Sequence, residues 1–430
     1  MATKPEVKTF TTTSNVDILN AMRQFMSNDY NDRIPVATRE NIGEIGQLVM
    51  SYEPHRNMLV DGLVNRIGLV IATSKAYSNP LKMFKKGIMN FGETVEEYFI
   101  NIAKANSYDP ETAQSELYKI VPPDVLAVFH KVNRKDFYKQ TISNEMLAQA
   151  FLNENGLFDM ISRVVDSMYS GAENDEFLLT KQCVSSALTN GAIFPVKIDE
   201  FSDSTAKGIA STIKTYSNNM LFNNNKYTAL GVISHTPRED QYLIMTSEFD
   251  AKFDVEVLAS AFNMDKADFL GHRVLIDEFP GFPEVKCVLC DKDFFMIFDQ
   301  FMSFTENYNG QGLYWNYFYH VWQVYSVSPF AQAIAFTTGT NTVTAITVTP
   351  ASPTASAGDT IDFTAKVTGS GEIVPQGVYW EVSGSSAVSS YISYNGKLYI
   401  DKNEANTTLT VTARSIYNSS ITGTATVTIS

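Results

Sequence analysis

The stretch "GLYWNYFYHVWQVY", residues 312–325, carries more aromatic side chains than a half-solvated strand tolerates. In extended backbone, successive side chains point to opposite sides. Leu313, Trp315, Tyr317, Tyr319 and Val321 then share one face, and Tyr314, Asn316, Phe318, His320 and Trp322 the other. Both faces are aromatic, so the strand is expected to be covered on both sides, by its own domain or by another chain. A platform for stacking bases would need cations nearby to hold the phosphates. No Lys or Arg lies between Lys292 and Lys366, whereas Asp293, Asp299 and Glu306 lie just upstream. A sugar platform is conceivable, but core or subunit contact is the better reading, with Trp315, Tyr317 and Trp322 as structural residues.

Outside this strand, size and charge set the bounds. A chain of 430 residues with 44% hydrophobic and 12% aromatic content is folded, and is long enough for a large core plus a second module. With 33 basic against 47 acidic residues the net charge is −14, which argues against a protein whose main work is gripping nucleic acid through phosphates. It is compatible with one that sits beside nucleic acid without sticking to it. Three cysteines without framework spacing point to a reducing compartment and no disulfides. The opening "MATKPEVKTFTTTSNVDILNAMRQF" has no apolar run of signal-peptide type, and no later stretch approaches the ~20 apolar residues that span a bilayer. The expectation is a protein kept in the cytoplasm, or carried in something assembled there, with no membrane partner.

Composition changes near residue 337, where "TTGTNTVTAITVTPASPTASAGDT" turns rich in Thr, Ser and Ala. From there short alternating runs recur between Gly, Ser, Pro and Asn: "AITVTP", "TIDFTAKVTG", "GVYWEVSG", "GKLYI", "TLTVTARS" and "GTATVTIS". They predict a linker over 337–343 and a small all-β sandwich over 344–430 with Trp380 in its core. The tail is near neutral, so the acidity belongs mostly to residues 1–336.

That first part is α+β. Two β-prone runs flank a middle punctuated by Pro80, Gly87 and Gly92, which predicts a long hairpin. Its middle carries Lys82, Lys85 and Lys86 and its return limb Glu93, Glu96 and Glu97, a segregation that suits an arm finding complementary charge elsewhere. Apolar or small residues at Leu157, Ile161, Val164, Met168, Ala172, Leu179, Cys183 and Ala187 predict one long helix, about 157–188, with Gly171 as a weak point and Gly191 as its stop. About 32 residues would extend ~48 Å, which suits a strut. Beyond residue 195, strands alternate with few helices, one of them predicted over "DVEVLASAFNM" with Asp254 as its cap.

Catalytic or metal chemistry is not legible. Cys287 and Cys290 form a CxxC inside a β-prone run, where a spacing of three puts the thiols on opposite faces. A second pair for zinc and a helix start for redox work are both missing. His55, His130, His235, His272 and His320 are scattered without ligand spacing, and "DKD" at 291–293 reads as turn chemistry. Asp265 and Asp268 lack the ladder of a calcium loop. No cofactor and no catalytic residue is assigned.

Several strings resemble a known family. "LVNRIGLVI", "NPLKMFKKG", "AFNMDKADFLG" and above all "GLYWNYFYHVWQ" are similar to the major capsid protein of small, short-tailed, protein-primed double-stranded-DNA phages of the Salas group, in the same order through most of residues 15–336. The tail separately resembles a group 2 bacterial immunoglobulin-like domain. The resemblance implies a Hong Kong 97-type capsid fold with an N-terminal arm, an extended loop (about 74–97) lying over a neighbouring subunit, a spine helix and an axial domain (about 195–329). It also implies a head shell of pentamers and hexamers, scaffolding and portal partners, packaged DNA nearby without specific binding, and a tail displayed outside, with host-surface glycans as a possible contact. Net acidity suits a container that must not bind its cargo. A surface adhesion protein with an immunoglobulin-like module is the competing reading, weakened by the missing signal peptide. A hydrolase with the tail as a targeting module is weakened by the missing catalytic set.

Overall fold

A computed structural model describes residues 15–23, 26–56, 58–59, 78–100, 102–103, 125–151, 156–202, 204–252, 272–387 and 389–430. The run "LVNRIGLVI", the start of the expected extended loop at 74–77, the expected helix after Asp254, and Asp265 and Asp268 lie outside them. The chain divides into two compact units, each described by itself. One comprises Met1–Asn79, Arg134–Phe177 and Asp299–Trp322, the other Pro80–Asn133, Leu178–Phe298 and Gln323–Ser430.

In the first unit, three short helices, α1 (Asn15–Arg23), α2 (Asn28–Arg33) and α3 (Ile42–Ser51), gather beside a sheet. Ser27 caps α2 by accepting the Tyr30 amide, and the Tyr30 side chain is buried in the core. Strands β9 (Phe295–Asn309), β10 (Tyr314–Val327) and β4 (Arg134–Ser143) lie side by side in the order β9-β10-β4. A short helix α4 (Asn144–Ala150), capped by Ser143, leads to the long helix α5 (Gly156–Thr189). The inward residues of β10, Trp315, Tyr317, Tyr319 and Val321, pack with Val164, Val165, Met168 and Ala172 of α5 and with Ile18, Ile45 and Val49 of the first helices. Burial at steps of three and four is what keeps this stripe of α5 helical.

Gly171 does not interrupt α5. A Cβ there would stand 3.3 Å from the Tyr138 ring, so the glycine admits a close neighbour rather than weakening the helix. The helix stops where expected. Gly191 takes φ +63, the Ala192 amide donates to the Ala187 carbonyl at 2.8 Å, and the Gly191 amide donates to Leu188 at 3.0 Å. This paired arrangement satisfies carbonyls the helix end would otherwise leave open, and it needs a residue without a Cβ penalty at positive φ.

In the second unit a five-stranded sheet runs β5 (Phe194–Lys197), β11 (Ala333–Thr337), β8 (Val285–Asp291), β6 (Gln241–Thr246) and β7 (Arg273–Ile276), parallel at its two outer pairs and antiparallel within. Helix α6 (Ala206–Met220) covers it with Ile209, Ala210, Ile213 and Met220, while α7 (Ser247–Asp250) follows β6. The sequence reading missed α6 because its apolar stripe is short and interleaved with Ser, Thr and Asn. Cys287 lies in this core, Cys290 is equally buried, and burial pushes both thiols far above their ordinary range.

Most of the first β-prone run of the long hairpin expected around Gly87 and Gly92 lies outside the described residues; past β1 (Lys85–Ile88), strand β2 (Val95–Ile100) pairs antiparallel with β3 (Val125–His130). Alternation in "VLAVFH" matches alternation in "VEEYFI", so one side of the ribbon can bury Phe99, Leu126 and Val128 with Val232 and Phe330.

The tail folds into β12 (Thr342–Thr349), β13 (Thr354–Ala355), β14 (Thr360–Asp362), β15 (Thr364–Ser370), β16 (Val378–Ser383), β17 (Tyr391–Ile392), β18 (Lys397–Tyr399), β19 (Thr408–Ser415) and β20 (Thr422–Ile429). Its sheets are β12-β15, β13-β20-β19-β16 and β14-β18-β17 around a core of Phe363, Val367, Leu398, Leu409, Val411 and Val427. Trp380 packs at the edge of that core and is half-buried. The expected linker is shorter than 337–343, since β11 includes Thr337 and β12 begins at Thr342.

Candidate functional site

Among the described residues no group of His, Cys, Asp and Glu is arranged to hold a metal, and no helix is long and apolar enough to cross a membrane. The chemistry on offer is surface chemistry, at two apolar faces of opposite charge.

The first is the outward face of β4, β10 and β9. Alternation on β4 sends Lys135, Phe137, Lys139 and Thr141 outward, and on β10 Asn316, Phe318, His320 and Trp322. Lys135 Nζ lies 4.6 Å from the Trp322 ring centroid and Lys139 Nζ 5.8 Å from that of Phe318. Phe137 meets Phe318 edge-on at 5.8 Å, Phe301 lies 5.3 Å from Trp322, and His320 Nε2 is 2.9 Å from Thr305 Oγ1. Thr141 donates to Asn316 Oδ1 at 2.7 Å. The acid within β4, Asp136, pairs instead with buried Arg134 at 2.8 Å.

Among the described residues the Trp315 and Tyr317 face of the 312–325 strand is buried, whereas Trp322 on the other face is half-buried. The expected lack of cations near the aromatic strand fails in three dimensions, because β4 supplies two. The signal was present in "RKDFYKQ", where Lys, Phe and Lys recur at every second position.

The second face is the outer side of the β2–β3 ribbon. Register places Ile100 opposite Val125, Tyr98 opposite Ala127 and Glu96 opposite Phe129. Tyr98 is 60% exposed, Ile100 66% and Phe129 54%, an unusual concentration for one side of two strands. Beyond its apolar contacts, the ribbon's inner side is held by a polar clasp. His130, buried, has Nδ1 at 2.8 Å from Ser326 Oγ and Nε2 at 3.2 Å from Glu97 Oε2, and Ser328 Oγ donates to Glu97 Oε1 at 2.6 Å.

The charged residues singled out from sequence separate accordingly. Glu97 belongs to this internal clasp, not to an outward patch. Lys86 Nζ pairs with Asp293 Oδ1 at 2.8 Å, so its charge is met within the chain. Glu93 accepts from the Asn90 amide at 3.1 Å and from its side chain at 2.8 Å, closing the turn between β1 and β2. Glu96 accepts from the Tyr98 hydroxyl. Lys82 is exposed and Lys85 half-buried. Sequence reasoning missed Lys135, Lys139, Tyr98, Ile100 and Phe129, because their grouping depends on strand partners distant in the chain.

Comparison with known proteins gives a consistent result. Residues 19–337 match the family described as Phi29-like phage major capsid protein. The chain is 36% identical over 403 residues to the major capsid protein of Bacillus phage B103, covering 92% of this chain and 88% of that protein. It is 37% identical over 361 residues to the major capsid protein of Bacillus phage GA-1, covering 82% and 76% respectively. Among solved structures, a chain from the capsid of Staphylococcus phage Andhra superposes with a TM-score of 0.52 at 13% identity, covering 61% of this chain and 85% of that one, a likeness of fold.

Proposed function

The chain belongs to the Phi29-like phage major capsid protein family, and from that premise we propose how its surfaces build a head shell. It is a structural protein of the virion, working by association with copies of itself around packaged DNA. The observation that carries this reading is the opposition of the two faces. The ribbon presents Tyr98, Ile100 and Phe129 with Glu96 opposite Phe129, while the sheet presents Phe137, Phe318 and Trp322 beside Lys135 and Lys139. Each is apolar enough to gain from losing water, and the charges favour unlike over like pairing. The ribbon of one copy covers the sheet face of another, and repetition of that unlike pairing closes pentamers and hexamers.

In this reading residues 1–336 form the shell, with Gly156–Thr189 as spine helix and about 195–329 as axial domain, and 344–430 is an immunoglobulin-like domain. Scaffolding and portal proteins are the further partners, and DNA is enclosed without specific binding. Glycan contact by the tail draws no support from the family match, which ends at residue 337.

Charge exchange tests the pairing. Lys135→Glu with Lys139→Glu should leave the monomer folded and abolish particles in electron micrographs. Adding Glu96→Lys to that variant should restore a large part of them. Normal particle yield from the double Lys variant would rule the pairing out.

A further inference from the structure

We propose that the tail is an internal buttress that fixes the pose of the β2–β3 ribbon; this rests on the ribbon being an assembly element. The tail is seated on the body of its own unit by contacts too close to be incidental. A Cβ at Gly191, just past the spine helix, would lie 2.0 Å from the Val374 carbonyl oxygen, and the Gly191 carbonyl accepts the Gln376 amide at 3.1 Å. At Gly231, φ +66, a Cβ would lie 2.7 Å from Ile416 Cδ1 and 3.1 Å from the Val378 carbonyl oxygen. Within the tail, Gly377 makes room for the same Ile416 methyl, at 2.9 Å. The Phe194 and Tyr417 rings meet at 5.4 Å.

The connection between body and tail is equally tied down. Lys197 Nζ donates to Thr340 Oγ1 at 2.7 Å, the Thr338 amide donates to the Glu284 carbonyl at 3.0 Å, and buried Asn341 accepts the Ile373 amide at 2.9 Å. A tethered ornament would need none of these, and each costs ordering entropy that a displayed domain on a free linker would keep.

From this seat the tail reaches the ribbon. Tyr394, on the loop between β17 and β18, packs with Leu126, Val232 and Phe330, the cluster that also holds Phe99 and Val128 of the ribbon's inner side. One tail side chain therefore completes the apolar support on which the ribbon rests. The loop 229–232 is shared, since Leu230 and Val232 touch the ribbon's cluster while Gly231 receives Ile416. Displacing the tail removes Tyr394 and loosens that loop together.

The test is hydrogen exchange by mass spectrometry on two full-length variants. Tyr394→Ala removes the contact, and Ile416→Ala loosens the seat without touching the ribbon. Both should speed exchange of the 95–100 and 125–130 amides about tenfold while the paired amides of β19 and β20 stay protected. Unchanged ribbon exchange in the Ile416 variant, with the tail's strands intact, overturns the buttress. Particle yield, measured alongside, is a separate readout: faster ribbon exchange with normal particles upholds the buttress and refutes the ribbon as an assembly element.

Discussion

Lys135 Nζ lies 4.6 Å from the centroid of the Trp322 ring, although the two residues come from strands far apart in the chain. The aromatic strand is thus two-sided in energetics as well as in geometry. One side is a core, and the other is a surface made tolerable by cations laid over its rings.

The two tryptophans of β10 should therefore differ. Trp315→Ala, in the core against Tyr308 at 4.9 Å, should cost ~3–5 kcal/mol and give insoluble protein. Trp322→Ala should cost about 1–2 kcal/mol, stay soluble and lose particles, since it removes a half-buried ring and a cation–π contact. Equal solubility losses in the two variants, measured by fractionation after expression, would contradict the assignment of faces.

Glycine substitutions separate backbone need from packing need. Gly191→Ala places a Cβ at positive φ and against the Val374 carbonyl, so thermal unfolding should shift down by several degrees. Gly43→Ala, in α3 with nothing within 4 Å of the added carbon, should be neutral or slightly stabilising. A Gly191 variant as stable as the parent would mean the tail's seat is looser than its contacts imply.

Acid should weaken the tail locally. Glu404 accepts from the hydroxyls of Ser385 at 2.6 Å and Ser390 at 2.8 Å, and from the hydroxyl and amide of Ser386, the amide at 2.8 Å. These hydrogen bonds, led by Ser385 and Ser386, hold its carboxyl well below the ordinary 4.5. A carboxylate whose folded pKa is depressed stabilises the fold above its unfolded value, and that contribution fades as pH falls from about 4.5 toward the folded value. Protection factors at the Ser386 and Asn406 amides, both bonded to Glu404 and each corrected for the intrinsic exchange rate at that pH, should fall at pH 3 in the parent. Glu404→Gln should lower them at pH 7 and flatten their pH response. Protection independent of pH in the parent would refute this.

Breaking the polar clasp should loosen the β2–β3 ribbon. Glu97→Ala leaves buried His130 and the Ser328 hydroxyl without their shared acceptor, a cost of about 1–3 kcal/mol. Ribbon amides should exchange roughly ten- to a hundredfold faster, with the five-stranded sheet unchanged. No change at the ribbon would show that its apolar contacts alone suffice.

Local patterns determined much of this protein. The spine helix was legible from its stripe, its stop from Gly191, the tail's strands from alternation between turn residues, and the family from ordered strings around "GLYWNYFYHVWQ". Each is encoded within a few turns or a few strand residues, where periodicity and backbone preference act directly. Strand partners, by contrast, were settled only in three dimensions. β2 pairs with β3 in a register that buries Phe99 and Leu126 together, and no feature of the Gly92 turn specifies that partner. Lys135 and Lys139 reached the aromatic face because β4 lies beside β10, which overturned a charge argument made along the chain. Glu97 looked like part of an acidic arm and proved to be the acceptor for a buried histidine. Charge and aromaticity are properties of single residues, but what they face depends on sheet order and register, which are fixed by burial summed over distant segments.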